Sequence, residues 1–420
     1  MALGLGFQAE HSLAAGPAKT FVTLEHPMTT ANIALQIFTD MEAVEAQWRT
    51  LEQHADCTVF QLFDWQMEWY RHIGSKEKLI PVIVLGLDDT GVAVFILPLA
   101  IERHGLIRRL VWFGSELCDY NSPILATNFS DHVKPGQFGR LWKDIIRTIQ
   151  DYPQLRFDAV EFYNMPSVVG SQPNPFLDFP VLLANCGGHV ATLPEANWDR
   201  FYASKFSNST LHTHRRKAKN LAKQGGGAIR FVDVQEQAEI EWTIAKLIEQ
   251  KRSSYARMGV HDMFARPGFR EFYLAIVANP RLCGVIHVTR LDVAGVPVAT
   301  GLGLRFNSSY SLVMSSYEDE FAKYSPGRQH IQEMLQYAIG QKMQKFDFTI
   351  GDEPYKLAWS DINLPLFFHF DSRTLRGRIV IAARMAIHYV DRWYNQTTLL
   401  KPPLRQVLRK TRRSLRRMFI

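Results

Sequence analysis

Apolar positions along the chain change period, and the changes mark the elements. Runs of alternating or continuous apolar residues bounded by turn formers predict strands over 34–38, 79–87, 92–101, 110–114 and 157–163 in the first half. The second half repeats the pattern, with strands over 229–234, 285–291, 296–305, 310–315 and 346–350. Helical spacing predicts helices over 42–51, 60–70 and 138–150, then over 238–257 and 269–277. A further helix follows Pro326, where Ile331, Met334, Leu335, Ala338 and Ile339 fall on one face. Ser325 is placed to cap it, Pro326 suits the first helical position, and Gly340 supplies a stop. Residues 1–30 carry no sustained period and are expected to be poorly ordered.

The two halves match in order. Gly91, in a hairpin signal after Asp88 and Asp89, corresponds to Gly295 after Asp292. Ser122-Pro123 corresponds to Ser325-Pro326, and Phe157-Asp158 to Phe346-Asp347. Three matches in register argue for an internal duplication. The expected class is α/β (α+β), with two tandem units, each a mixed, largely antiparallel sheet flanked by helices. The boundaries read as 31–166 for the first unit, 167–227 for a connecting region with a basic helix, 228–375 for the second unit and 376–420 for basic C-terminal helices and tail.

The copies differ where chemistry is expected. After Ser-Pro the first has Ile124 and the second Gly327. After the Phe-Asp strand the first continues Asn164-Met165-Pro166, whereas the second continues Gly351-Asp352-Glu353-Pro354-Tyr355-Lys356. The second copy is therefore expected to keep the site, with the first as scaffold. Glycine in a first helical turn costs up to about 1 kcal/mol relative to alanine. Either Pro326-Gly327 makes a tight turn, or the bare turn presents amides and the positive end of the helix dipole to a phosphate. Arg215, Arg216, Lys217, Lys219 and Lys223 form a basic run that reads as a solvated helix face or as the lining of a route for an anionic substrate.

Composition narrows the classes. With 420 residues and 46% hydrophobic content the chain fills two cores. It has no apolar run long enough for a transmembrane helix and no signal-peptide pattern, so the cytoplasm is expected. Four cysteines are scattered singly, without metal-ligand spacing, and no metal is expected. Cys118, followed by Asp119 and Tyr120, is a weak nucleophile candidate with no base placed beside it. Residues 401–420 hold eight Lys or Arg and no acid, and setting them aside turns the net charge of +7 into −1. DNA is thus not an expected partner. In the tail Leu404, Leu408, Leu415 and Phe419 form a rough helical stripe, suited to an anionic membrane surface or an acidic partner, or else the tail is a solvated end.

The element order resembles the GNAT acyltransferase fold, and two units in one chain resemble the FemAB-like tandem group. Phe60-Gln61, Asp64-Trp65, Trp69, Leu97-Pro98-Leu99, Asp119-Tyr120, Tyr324-Ser325-Pro326-Gly327, Phe346-Asp347-Phe348, Gly351-Asp352-Glu353 and Tyr355-Lys356 are similar to CelD-type acetyltransferases linked to bacterial cellulose and exopolysaccharide production. The resemblance covers residues 33–370. It implies an acyl-CoA co-substrate wedged between the strands 310–315 and 346–350, with its pyrophosphate at Ser325, Gly327, Arg328 and Gln329. A single Ser-Pro-Gly stands where that fold usually has a glycine-rich, arginine-containing loop, so an aminoacyl-tRNA or carrier-protein donor is the alternative. The expected reaction is acyl transfer, with acetyl as the expected group, to an amine of a sugar, amino acid or envelope or polysaccharide precursor. Asp347 or Glu353 is the expected base, Tyr355 the acid for the leaving thiolate, and Lys356 the group holding an anionic acceptor or the oxyanion. Asp352 joins Lys356 in substrate binding, and His330 is a weaker base candidate. Asp347 also has a reading as a hydrogen-bonding strand residue. The non-enzymatic alternative is a scaffold in polysaccharide assembly, anchored by the tail.

Overall fold

The structure, a computed structural model, describes residues 23–26, 32–194 and 197–396. The first unit contains β1 (Thr23–His26), β2 (Ala34–Phe38), α1 (Met41–Glu52), α2 (Phe63–Trp69), β3 (Ile80–Leu87), β4 (Ala93–His104), β5 (Ile107–Trp112), α3 (Phe138–Asp151) and β6 (Ala159–Pro166). Then follow β7 (Gly188–Thr192), α4 (Asn208–Gln224), β8 (Ile229–Asp233), α5 (Gln237–Met258) and α6 (Phe269–Ala278). The second unit continues through β9 (Ile286–Val293), β10 (Val296–Phe306), β11 (Ser309–Tyr317), α7 (Pro326–Gly340), β12 (Lys345–Ile350) and α8 (Pro354–Trp359). The chain closes with β13 (Leu366–Ser372) and α9 (Leu375–Gln396).

Each sheet is an antiparallel meander followed by a parallel pair. In the first, β2, β3, β4 and β5 run antiparallel and β6 lies parallel to β5. In the second, β8, β9, β10 and β11 run antiparallel and β12 lies parallel to β11. The duplicated pattern of the sequence is thus a duplicated topology. Parallel neighbours need a crossover, and α3 and α7 supply the two crossovers.

The strand beyond each parallel pair crosses the boundaries expected from the sequence. β13, placed within 228–375, pairs with β6 and extends the first sheet, whose edge is the short strand Leu182–Leu183. β7, placed in the connecting region, pairs with β12 and extends the second, whose edge is the short strand Ile362–Leu364. Short strands take their partners from whichever edge is open, and that is set by packing rather than by neighbourhood in sequence. Thr23–His26 also departs from the expected poorly ordered N-terminus, since it pairs with β2 as an edge strand. The rest of residues 1–22 and the tail 401–420 lie outside the described residues.

One apolar core passes through both units. Trp48, Phe60, Phe63, Trp65 and Trp69 of the first join Ile244, Leu247, Phe272 and Ile276 of the second. Trp65 meets Phe272 edge to face at 5.1 Å, and α2 lies against α6. Gly268 sits where a Cβ would lie 2.0 Å from the His72 carbonyl oxygen, so only glycine permits that approach of the units. Trp65→Ala is expected to cost about 3–5 kcal/mol. Because the core is shared, fluorescence and far-UV circular dichroism should report one coincident transition at a lower denaturant midpoint. Two transitions, with only the first displaced, would contradict the shared core.

Candidate functional site

Two parallel strands separate at the middle of the second sheet. β11 and β12 pair at Ser309 with Lys345, Tyr310 with Phe346 and Ser311 with Asp347. Beyond that β11 continues to Tyr317, while β12 keeps its other partner, β7, with Val190 opposite Asp347. The result is a wedge opening toward the strand ends. At its apex the Thr349 hydroxyl donates to the Leu312 carbonyl at 3.3 Å. Thr349 has a left-handed backbone (φ 61°), an uncommon state for a β-branched residue and one associated with functional sites. On β11 a register shift opposite Leu302 and Gly303 sets Val313 out of line with β10.

Strand alternation divides β12 between two faces. Phe346 and Phe348 pack in the core beneath α7 with Tyr310, Met334 and Leu335. Asp347 points the other way, into a cavity of about 410 Å³ between the units, lined also by Phe60, Tyr120, Val190, Ser309 and Ser311. The Tyr120 hydroxyl donates to Asp347 Oδ1 at 2.8 Å, and the Thr349 N–H donates to the same oxygen at 2.7 Å. Tyr120 reaches that carboxylate because Gly188 lies beside it, where a Cβ would be 2.2 Å from the Tyr120 oxygen. Burial raises the Asp347 carboxyl to about 6, outweighing those hydrogen bonds and the Lys356 ammonium. Burial likewise raises Asp119 to about 6, with Asp347 and Glu353 adding like charge. Tyr120, raised well above its ordinary value by burial, stays a neutral donor.

The expected catalytic residues are not all brought together. Tyr355 packs its ring on Phe348 at 6.2 Å, on the face opposite to Asp347, and burial keeps its phenol protonated. Lys356 is buried, donating to the Ile350 carbonyl at 2.7 Å and pairing with Glu353 at 3.0 Å, so its ammonium is committed to the loop. Glu353 also folds over Gly351, where a Cβ would meet its Oε2 at 2.5 Å and φ is 125°. Asp352 pairs with His189 of β7 at 3.0 Å. Lys251 of α5 lies within electrostatic reach of Glu353 and Lys356, and burial lowers its ammonium.

At the start of α7 the geometry corrects three expectations. Ser325 makes no side-chain cap; it adopts φ 57°, and its Oγ accepts from Lys217 Nζ of α4 at 2.8 Å. Gly327 is not a bare position, since a Cβ there would lie 2.8 Å from the Tyr317 ring. A side chain at 327 would have to displace that ring. His330 is fully buried, bonded to Thr289 at 2.9 Å, and lowered to about 3 by burial, which makes it a neutral core residue. Gln329 turns back to donate to the Tyr324 carbonyl at 3.1 Å. Arg328 donates from Nη1 to Gln332 and lies against the Tyr202 phenol, and burial lowers its guanidinium. That arginine and Lys217 give the helix start two cations, one from the basic run. A buried guanidinium beside a lysine suits an anionic group of a donor molecule.

Sequence reasoning placed the whole site in the second copy and so left out Asp119 and Tyr120 as site residues. Their adjacency to Ser122-Pro123, the counterpart of Ser325-Pro326, was the available signal. Cys118 beside them is buried with its thiol raised, and it has no nucleophilic character.

Residues 208–357 match the family model described as an acetyltransferase (GNAT) domain. Among solved structures the chain is similar to FemX, at 9% identity and a TM-score of 0.50, covering 80% of this chain and 94% of that one. It is also similar to L-PGS from Bacillus licheniformis, at 12% identity and a TM-score of 0.46, over 82% and 96% of the two chains. A tandem GNAT protein from the clavulanic acid biosynthesis pathway matches at 11% identity and a TM-score of 0.42, over 81% and 98%. No protein of curated function matches in sequence. Residues 208–357, which carry most of the second unit, are thus similar to a GNAT acetyltransferase domain, and the fold of the chain is that of two GNAT-like units in tandem.

Proposed function

We propose that the chain transfers an acyl group, with acetyl the expected one, from acyl-CoA to an amine of a sugar, amino acid or envelope or polysaccharide precursor in the cytoplasm. The observation that carries this reading is Asp347: a carboxylate raised to about 6, held by Tyr120, at the apex of a strand wedge and facing a cavity of about 410 Å³. A base with that value is ionised at neutral pH yet basic enough to take a proton from an attacking amine.

The two faces of β12 give the two substrates separate approaches. The acceptor amine occupies the cavity on the Asp347 side. The donor lies along the wedge from the α7 side, its phosphates near Arg328, Lys217 and the helix start, its acyl end beyond the Thr349 contact. The amine nitrogen bonds to the thioester carbon and its proton passes to Asp347. The carbon–sulfur bond breaks, and the departing thiolate takes a proton from Tyr355. The Val313 amide, out of register with β10, is a donor for the developing oxyanion. Asp352 and Glu353 then hold the loop rather than the acceptor, and Lys356 anchors them.

Thermal-shift titration with acetyl-CoA, longer acyl-CoAs and free CoA tests the donor. Stabilisation of the native chain is expected, with about a tenfold or greater loss of affinity in Arg328→Gln and Lys217→Gln, since each removes a charge-assisted contact. No stabilisation by any CoA would replace that donor with an aminoacyl-tRNA or a carrier-protein thioester.

A pH series tests the base. kcat/KM should rise with pH to a plateau above about 6, and Asp347→Asn should lower the plateau by about 100-fold or more. Stability has the opposite sign. The folded carboxyl keeps its proton to about 6 and the unfolded one only to 3.8, so the native state loses stability as pH rises between those values. Asp347→Asn should therefore melt higher than the native chain above pH 6 and show no such gain below 3.8. An Asp347→Asn enzyme with undiminished activity would remove the base assignment.

A further inference from the structure

α9 is amphipathic in reverse. Its inward face carries Gly377, Ile381, Arg384, His388 and Asp391. A Cβ at Gly377 would lie 2.0 Å from the Asp158 carbonyl oxygen, and Arg384 pairs with the buried Glu161 at 3.4 Å. Glu161 also pairs with Arg109 at 3.0 Å, so an ion-pair network inside the first unit fixes which way the helix faces. The outward face carries Leu375, Ile379, Ala382, Ala386, Val390 and Trp393, at the spacing of one stripe. Leu375 is 74% exposed, Ile379 64% and Trp393 51%, and Tyr389 beside the stripe is 53% exposed. The stripe is about 27 Å long.

Charge identifies what covers it. The exposed ionic side chains of α9 are Arg376 and Arg378, and its one acid, Asp391, is buried. Beside the first turn lies a cavity of about 600 Å³ lined by Arg108, Lys143, Arg147, Arg156, Arg373 and Arg376. Its one carboxylate, Asp158, accepts from the Arg108 N–H and the Thr374 hydroxyl and pairs with Arg376 at 3.4 Å. Arg373 and Arg147 pair with Asp371 and Asp144. Among the described residues, that leaves Arg108, Lys143 and Arg156 as the cations of the cavity without a carboxylate of their own at ion-pair distance other than Asp158. Residues 401–420 add eight further cations and no acid. A second copy of the chain would bring these positive groups together, whereas an anionic lipid surface complements them. Among the described residues no helix is long and apolar enough to cross a membrane, and an amphipathic helix meets a bilayer along its surface.

We propose that α9 rests in the headgroup region of an anionic phospholipid membrane, with the stripe from Leu375 to Trp393 toward the acyl chains and the basic cavity holding a headgroup phosphate. Tyr389 and Trp393 sit at the level where amphipathic rings partition. The inference does not depend on the acyl-transfer reading, and either can fail alone.

The test is cosedimentation of the full chain with vesicles of phosphatidylglycerol and phosphatidylcholine, against vesicles of phosphatidylcholine alone. Binding is expected only to the anionic vesicles, weakening with added salt. The double variant Ile379→Asp, Trp393→Asp and the double variant Arg147→Glu, Arg376→Glu should each partition about tenfold less or weaker. An environment-sensitive dye on Ala386→Cys, with Cys283→Ser, should shift to shorter wavelength on the same vesicles. Equal binding to neutral vesicles overturns the proposal, as does displacement by millimolar inorganic phosphate, which would mean a soluble anion site. Unchanged binding of the Ile379→Asp, Trp393→Asp chain assigns the contact to residues 401–420 and also overturns it. So does an unshifted dye, or a native dimer that the same double variant converts to monomer.

Discussion

The bond from Tyr120 to Asp347 joins the two units at the site. A carboxylate placed in an apolar interior is costly unless hydrogen bonds hold its charge, and here one donor comes from the first unit and one from the strand that bears it. The balance between burial and those bonds sets the carboxyl near 6, in the range a proton acceptor needs. Without the first unit that balance would be lost, because both the phenol and much of the cavity wall belong to it. The duplication therefore does more than support: each copy supplies part of the cavity wall and one partner of this hydrogen bond.

Close approaches explain why the units fit. Gly188 admits the Tyr120 hydroxyl, Gly268 admits the His72 carbonyl, and Gly327 admits the Tyr317 ring. Each position looks in sequence like an ordinary turn or strand glycine. Pairing of β13 with β6 ties the units further, since a strand that follows the second unit extends the first sheet. A chain wired in this way is expected to unfold cooperatively, and its site geometry follows the interface.

The helix after β13 shows the same dependence on burial. Its polar face is inward because Glu161 and Arg109 already form a buried ion pair that a further cation, Arg384, can join. Orientation is fixed by that desolvated charge, and the apolar stripe is left outward as the consequence.

The sequence by itself determined the elements of the two meanders, their order and their duplication, because period, turn chemistry and apolar content act over a few residues at a time. The strand holding Asp347, the helix starting at Pro326 and the meander around Gly295 all lie where the pattern places them. Tertiary structure alone decided the partners. It moved β13 into the first sheet, buried His330, tied Lys356 to its own loop, turned Tyr355 to the opposite face from Asp347 and brought Tyr120 across 227 residues of chain to its carboxylate. The physical reason is common to these cases. Desolvation, open strand edges and close backbone approach depend on what lies beside a residue in space, and the local pattern of side chains carries no record of it.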